Sequence, residues 1–253
     1  MKAGIVSVTF REKTAEELLG LCSKTRLSVI EWSENAHALP GGGSDMLELM
    51  HKTTEAGLEV AGYGSYYRLG MNDPEAFRAS LASAVVLGAP VIRVWAGEKG
   101  SAVTNSEERR KIASDVAVIA DIAAEKGIKI ATEWHRNTLT DTNESALALL
   151  LDEAAHPNFY TLWQPTPELT FEARREGLRA LGGRVLNLHV YHWPQRIRMP
   201  LSRGVDEWRQ YFGVLDSTER CALIEFVRDD TEQQFFEDAA VLCDWVNEYN
   251  SKI

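Results

Sequence analysis

Apolar runs of five to seven residues recur along the chain, at 3–9, 27–32, 58–63, 91–95, 128–134, 159–163, 185–190 and 221–227. They are rich in β-branched residues and too short for buried helices, so each predicts a strand. After each comes a stretch with apolar positions three and four apart, at 14–23, 44–56, 73–87, 106–126, 143–154, 171–181, 205–215 and 231–249. That spacing predicts a helix with one buried face. Asn72-Asp73-Pro74-Glu75 puts a proline in the first turn behind a cap, and Thr14-Ala15-Glu16-Glu17 and Asn105-Ser106-Glu107-Glu108 read as capping boxes. Gly57, Gly88, Gly127 and the pair Gly182-Gly183 each stand between a helix and the next strand, where a glycine ends a helix.

Strands alternating with helices imply parallel pairing through right-handed crossovers. Eight such units in 253 residues predict an α/β fold, a single (β/α)8 barrel spanning 1–253. A doubly wound sheet is the competing architecture, but it usually shows a glycine-rich turn after its first strand. Here that turn is Thr9-Phe10-Arg11-Glu12-Lys13, without glycine. Pro40-Gly41-Gly42-Gly43 lacks the Lys-Ser/Thr of a phosphate loop and reads as a plain loop.

Composition narrows the partners. The chain is 45% hydrophobic and 25% charged, with a formal net charge of -10 and no run of basic residues. Nucleic acid and anionic membrane surfaces are therefore not expected partners. No apolar stretch approaches a membrane span. Met1-Lys2-Ala3-Gly4-Ile5-Val6 enters a strand pattern directly, with no signal-type h-region. Cys22, Cys221 and Cys243 are odd in number and widely separated, as small core residues in a reducing compartment would be. The expected location is the cytoplasm. Oligomeric state stays open, a homodimer being one option.

The chemistry gathers where the strands end. The fifth run closes on Glu133-Trp134-His135, and alternation along a strand gives Glu133 and His135 one face and Trp134 the other. The second ends Ile30-Glu31-Trp32, the fourth Arg93-Val94-Trp95, the sixth Trp163-Gln164, the seventh His189-Val190-Tyr191-His192-Trp193 and the eighth Glu225-Phe226. In a barrel of this kind the C-terminal strand ends carry the active site. Glu133, Gln164, His189 and Glu225 fall at equivalent places on four consecutive strands. Two carboxylates, an imidazole and an amide oxygen suit one divalent ion, Mn, Mg, Co or Zn. The competing reading is that each polar end simply meets water. His192 has the opposite parity to His189 and should face away. Trp95 and Trp193 are expected to line the pocket, with Trp134 and Trp163 packed outside it. Arg93 could hold a substrate oxygen or be paired with Glu31 or Glu133. Arg196 and Arg198 follow strand seven in a loop that could reach over the site.

Glu-x-His followed by Thr-x-Thr-Asp-Thr at 133–142, Trp-Gln-Pro at 163–165, Leu-His-Val at 188–190, Pro-Leu with Gly and Asp-Glu-Trp at 200–208, and Ile-Glu-Phe at 224–226 resemble the xylose isomerase-like TIM-barrel superfamily. That group includes sugar phosphate isomerases and epimerases, inosose dehydratases and 3-dehydroshikimate dehydratases. The resemblance implies metal ligands Glu, Asp, His and Glu on strands five to eight, here Glu133, Gln164, His189 and Glu225, with Gln164 where Asp is usual. The stretches 92–101 and 133–141 look like the 3-dehydroshikimate dehydratase branch, which typically carries Lys two residues after the strand-seven His, where Tyr191 stands. The implied chemistry is proton abstraction next to a metal-held carbonyl, through an enediolate. His135 is the candidate base, with Glu133 or Glu225 as substitutes; Arg93, Trp95, Tyr67, Tyr191 and Arg198 are the substrate-binding candidates. The expected function is a metal-dependent isomerase or epimerase of a small sugar or sugar-derived keto compound. A dehydratase of the 3-dehydroshikimate or inosose type and a catalytically degenerate binding barrel are the alternatives.

Overall fold

The computed structural model describes residues 1–252, and the described residues close into a parallel barrel in which β1 to β8 pair in chain order and β8 returns to β1. The strands are β1 Lys2–Val6, β2 Val29–Ser33, β3 Glu59–Arg68, β4 Val91–Trp95, β5 Lys129–Glu133, β6 Phe159–Trp163, β7 Val185–Val190 and β8 Cys221–Ile224. Closure is made by Lys2 to Ile5 lying in register with Cys221 to Ile224. The helices between and after them are α1 Ala15–Cys22, α2 Ser44–Glu55, α3 Pro74–Leu87, α4 Ser106–Ala124, α5 Asn143–Leu147, α6 Phe171–Leu181, α7 Val205–Phe212 and α8 Glu232–Asn250. α5 continues as a π-helical stretch, Ala148–Glu153, to complete the expected fifth helix. The capping boxes form as the sequence predicts: Thr14 and Asn105 each cap the third helical residue and receive its glutamate in return. Among the described residues no helix is long and apolar enough to cross a membrane.

Two packing layers result. The large apolar core lies between barrel and helices and includes Trp32, Trp134, Trp163 and Trp208, all 0–1% exposed. Trp163 meets Trp208 and Tyr211 edge-on at 6.2 and 5.0 Å between ring centroids, and Trp32 donates to the Thr53 hydroxyl on α2. Inside the barrel, Val29, Val91, Ala131, Leu162 and Leu223 are buried in smaller apolar clusters. Two residues further along the same strands, hence on the same face, come Glu31, Arg93, Glu133, Gln164 and Glu225. The interior thus changes from apolar to charged within one pleat.

Three differences from the sequence pattern bear on the site. β3 runs to Arg68, beyond its apolar run, because inward positions Gly62 and Gly64 make room rather than fill it. β5 stops at Glu133 and β8 at Ile224, so His135 and Glu225 stand on the loops that leave those strands.

The long segment after β7 is tied down by α8. The Asp238 carboxylate accepts from the Leu201 backbone N–H at 2.8 Å and from Gln234 Nε2 at 2.9 Å. Burial pushes this carboxyl up to about 6, against those hydrogen bonds. A group whose pKa is raised by folding contributes stability fully present below its unfolded value and lost as pH rises through the folded one. Asp238→Asn keeps the accepting oxygen and removes the titration. Between pH 4 and pH 7 the stability difference in urea unfolding is expected to move in the variant's favour by about 2 kcal/mol. A difference that stays flat over that range would show that Asp238 does not carry this cost.

Candidate active site

The loop after β5 fixes the site's central strand end. Thr140 Oγ1 donates to the Glu133 carbonyl at 2.6 Å, and Thr138 Oγ1 donates to the His135 carbonyl at 2.6 Å. The same turn reaches sideways: Leu139 N–H donates to the Ala96 carbonyl at 2.9 Å, and Asp141 Oδ2 accepts from Ser101 N–H at 3.0 Å. The Thr-x-Thr-Asp run therefore latches the β4 and β5 loops together and sets the level at which Glu133 and His135 sit.

The floor is a buried charge cluster. Arg93 Nη1 donates to Glu133 Oε2 at 2.5 Å, with both side chains under 5% exposed. His189, on β7, lies with Nδ1 3.5 Å from Glu225 Oε2 and 3.7 Å from Glu133 Oε1, and with Nε2 3.4 Å from Glu31 Oε2. Burial alone would raise the Glu133 carboxyl, but the Arg93 guanidinium, helped by His189, outweighs it and holds Glu133 well below the usual carboxylate range. Burial likewise opposes charging His189, yet Glu225, Glu31 and Glu133 lift it well above the ordinary imidazole value. Glu31 is wholly buried, and the sequence reading named it only as a possible partner of Arg93. Its signal was its place two residues after Val29, matching Arg93 after Val91. The space it occupies is opened by glycine: a Cβ at Gly64 would stand 3.1 Å from Glu31 Oε1 and 3.2 Å from Arg93 Nη2.

These donors fit a divalent cation. Glu133, His189 and Glu225 each offer a ligand atom, all within 4.8 Å of one another. His189 Nδ1 is buried with no hydrogen-bond partner while it faces both carboxylates. Without an ion the carboxylates favour the protonated ring; an ion at Nδ1 would take that proton's place and leave a neutral His189 donating Nε2–H to Glu31. Three buried carboxylates against one guanidinium leave a formal charge of -2 beside a neutral imidazole, the charge one divalent ion neutralises. Gln164 completes the ring differently from a carboxylate. Its Nε2 donates to the Trp134 carbonyl at 2.7 Å and to Glu133 Oε1 at 3.1 Å. A carbonyl can only accept, so the amide NH2 is pinned on that side, and the amide oxygen is the atom free to face a cation.

Above the floor opens a cavity of about 400 Å³. One wall is Tyr66, Trp95 and His135, with Trp95 and His135 edge-on at 4.8 Å. The other is Tyr191 stacked on Trp193 at 4.2 Å, continued by Phe226 at 6.0 Å from Trp193. His135 Nδ1 donates to the Arg136 carbonyl at 2.6 Å, so the neutral ring carries its lone pair on Nε2. Burial, then the Glu225 and Glu133 charges, hold the Tyr191 phenol far above its ordinary value and therefore protonated.

Two substrate-binding candidates lie elsewhere. Tyr67 points out of the barrel and gives its hydroxyl to Asp115 on α4 at 2.8 Å. The β3–β4 register shifts between Gly64 and Arg68, and Tyr66 takes the inward place. Arg198 lies behind the aromatic wall, paired with Asp230 at 2.6 Å and stacked over Phe226 at 4.7 Å, while Arg196 lines the cavity. His192 packs against Gly204, where a Cβ would come within 2.9 Å of its ring.

Removing Arg93 leaves the buried Glu133 carboxylate without its ion-pair partner. Arg93→Met, which keeps the bulk, is expected to cost about 3–5 kcal/mol in urea unfolding of metal-free protein. A loss under about 1 kcal/mol would mean that Glu133 is not held by this pair.

Comparison with known proteins places this geometry in a family. The model of the xylose isomerase-like TIM barrel matches residues 9–245. A 3-dehydroshikimate dehydratase of Bacillus anthracis is 38% identical over 79 residues, a match spanning 29% of this chain and 28% of that protein. The crystal structure of the probable 3-DHS dehydratase involved in petrobactin synthesis from Bacillus anthracis is similar at a TM-score of 0.80 and 18% identity, over 96% of this chain and 99% of that one. L-ribulose 3-epimerase follows at 0.73 and 14%, over 99% and 96%. A xylose isomerase-like TIM-barrel protein of Mycobacterium smegmatis, solved in complex with magnesium, gives 0.72 and 14%, over 98% and 97%. At such identities the structural likenesses speak to the fold, and the family model spans nearly the whole chain: it belongs to the xylose isomerase-like TIM-barrel family.

Proposed function

We propose that the protein is a divalent-metal-dependent isomerase or epimerase of a small sugar or sugar-derived keto compound, working by proton abstraction next to a carbonyl. The observation that carries this reading is the orphaned His189 Nδ1 between the Glu133 and Glu225 carboxylates, at the floor of a cavity that also receives His135. The ligands would be Glu133, His189 and Glu225, with the Gln164 amide oxygen as a fourth. A bound ion, manganese or magnesium by the oxygen-rich donor set, would supply Lewis acidity to a substrate carbonyl.

The chain's own groups do the rest. His135 uses Nδ1–H on the Arg136 carbonyl and offers Nε2 to the proton next to the carbonyl. Glu133 and Glu225 are the remaining bases at the floor. Arg93 keeps Glu133 ionised and spends its charge there. Trp95 and Tyr66 on one side, and Tyr191 and Trp193 on the other, give apolar faces for the C–H side of a sugar and shut out water. Tyr191 donates its hydroxyl to the Pro165 carbonyl at 3.3 Å, which fixes its ring as part of the cavity wall.

A second reading is a dehydratase, in which a hydroxyl leaves from the neighbouring carbon. The 38% identity with a 3-dehydroshikimate dehydratase over 79 residues favours it. Tyr191, where that branch typically has Lys, speaks for the first reading.

Elemental analysis of gently purified protein is expected to find about one divalent ion per chain, lost in Glu225→Ala. Absence of metal even after incubation with manganese would overturn the reading. Deuterium uptake from heavy water into a recovered ketose marks the isomerase; new ultraviolet absorbance with loss of water marks the dehydratase. His135→Ala should lower turnover by roughly 10²–10⁴-fold. Near-normal turnover in that variant would remove His135 from the mechanism. Activity that appears only after Gln164→Asp would identify a degenerate site.

A further inference from the structure

The cavity is polarised from floor to mouth. Of its acidic groups, Glu133 and Glu225 lie at the bottom, 2% and 6% exposed, while Glu168 lies near the mouth against Arg196. Three arginines, Arg11, Arg136 and Arg196, line it at the exposed rim. The chain carries 37 acidic residues against 27 basic ones, so a rim of this sign runs against its overall charge. Among the described residues Arg11 and Arg136 make no ion pair and no side-chain hydrogen bond, unlike Arg93, which is spent on Glu133.

Two of the rim arginines and one hydroxyl converge from neighbouring strands. Arg136 follows β5, Thr166 follows β6 and Arg196 follows β7, and these strands are consecutive in the barrel. Thr166 lines the cavity, is 4% exposed, and its hydroxyl is buried with no partner. Arg196 is held toward the cavity by two consecutive left-handed residues, Gln195 at φ +52° and Arg196 at φ +64°. Neither is glycine, so the turn costs backbone strain of the kind kept at functional positions. Arg196 pairs with Glu168 at 2.8 Å, but that pair is exposed on the arginine side, and such pairs exchange readily for a better anion.

We infer that the substrate carries an oxyanion, a carboxylate or a phosphate, on the end that points out of the barrel, and that Arg136, Arg196 and Thr166 bind it. The orientation rests on the proposed metal floor: the keto-hydroxy end goes down and the anionic end stays at the rim. Arginine suits the role because its planar fork meets two oxygens of one anion. The neutral polyol is the ligand this arrangement disfavours, since it leaves the rim charges and the Thr166 hydroxyl unanswered.

The test compares matched probes by calorimetry on manganese-loaded protein: quinate against myo-inositol, and D-ribulose 5-phosphate against D-ribulose. One anionic probe is expected to bind at least about tenfold more tightly than its neutral partner, the preference weakening as salt is raised. The pair that shows it tells carboxylate from phosphate. Arg136→Met with Arg196→Met should abolish the preference and leave neutral binding unchanged, Arg136→Lys should retain part of it, and Thr166→Val should reduce it. Equal binding of anion and neutral partner in both pairs, no binding by either anion at about 10 mM, or a preference that survives the double variant would each overturn the inference. Manganese content is read on the same samples. Lost manganese with the preference intact overturns the metal reading and not this one; retained manganese with no preference does the reverse.

Discussion

Everything in this barrel answers to one constraint, the burial of three carboxylates within reach of a single imidazole. Glu31, Glu133 and Glu225 lie at 0–6% exposure around His189, and an unpaired buried charge costs several kcal/mol. Arg93 offsets part of this through Glu133. The rest of the local sequence makes that possible. Gly62 and Gly64 give up side chains on β3 so that Glu31 and Arg93 can lie side by side. The apolar layer of Val29, Val91, Ala131, Leu162 and Leu223 keeps water from entering from below. The charge that the protein does not supply at this spot is the charge a divalent cation would bring.

The loops are built to hold that floor at a fixed height. Glu133 is the last residue of β5 and Glu225 the first after β8, and the ladder carries on for one bond at each, Trp134 N–H donating to the Leu162 carbonyl at 3.0 Å and Glu225 N–H to the Val190 carbonyl at 3.1 Å. Beyond that bond Thr138 and Thr140 hold the end of β5 by donating to the carbonyls of His135 and Glu133. At β8, Thr9 spans the seam: its hydroxyl donates to the Ile224 carbonyl at 3.2 Å and accepts from Phe226 N–H at 3.1 Å. Phe226 takes φ +59° there, which turns its ring toward Trp193 and Arg198 and closes the aromatic wall.

The fold was legible because its signals are local. Short apolar runs, capping boxes and terminal glycines repeat around the barrel, and each can be read within about ten residues of chain. The inward parity of Glu133, Gln164, His189 and Glu225 was legible for the same reason. What failed depended on distant backbone. Alternation along β3 alone does not place Tyr66 inward in place of Tyr67, because the register shift between Gly64 and Arg68 belongs to the β3–β4 pair. That Arg196 rather than Arg198 lines the cavity follows from two left-handed residues at Gln195 and Arg196, of which periodicity carries no sign. Glu31 was undervalued because its worth lies in a contact with His189, 158 positions away.

Gln164 stands among the buried carboxylates, and it makes two hydrogen bonds that an acid at its place could not give. Its NH2 group is committed to the Trp134 carbonyl and to Glu133 Oε1. A carboxylate at the same place would set a second anion against Glu133 and the Trp134 carbonyl, with no hydrogen to give to either. With Glu31 already beneath His189, such a residue would take the buried set to a formal charge of -3, more than one divalent ion neutralises. Glutamine keeps the set at -2 and still leaves an amide oxygen. On the proposed metal reading, glutamine at 164 and Glu31 would balance one another, a carboxylate below the imidazole standing in for an aspartate beside it.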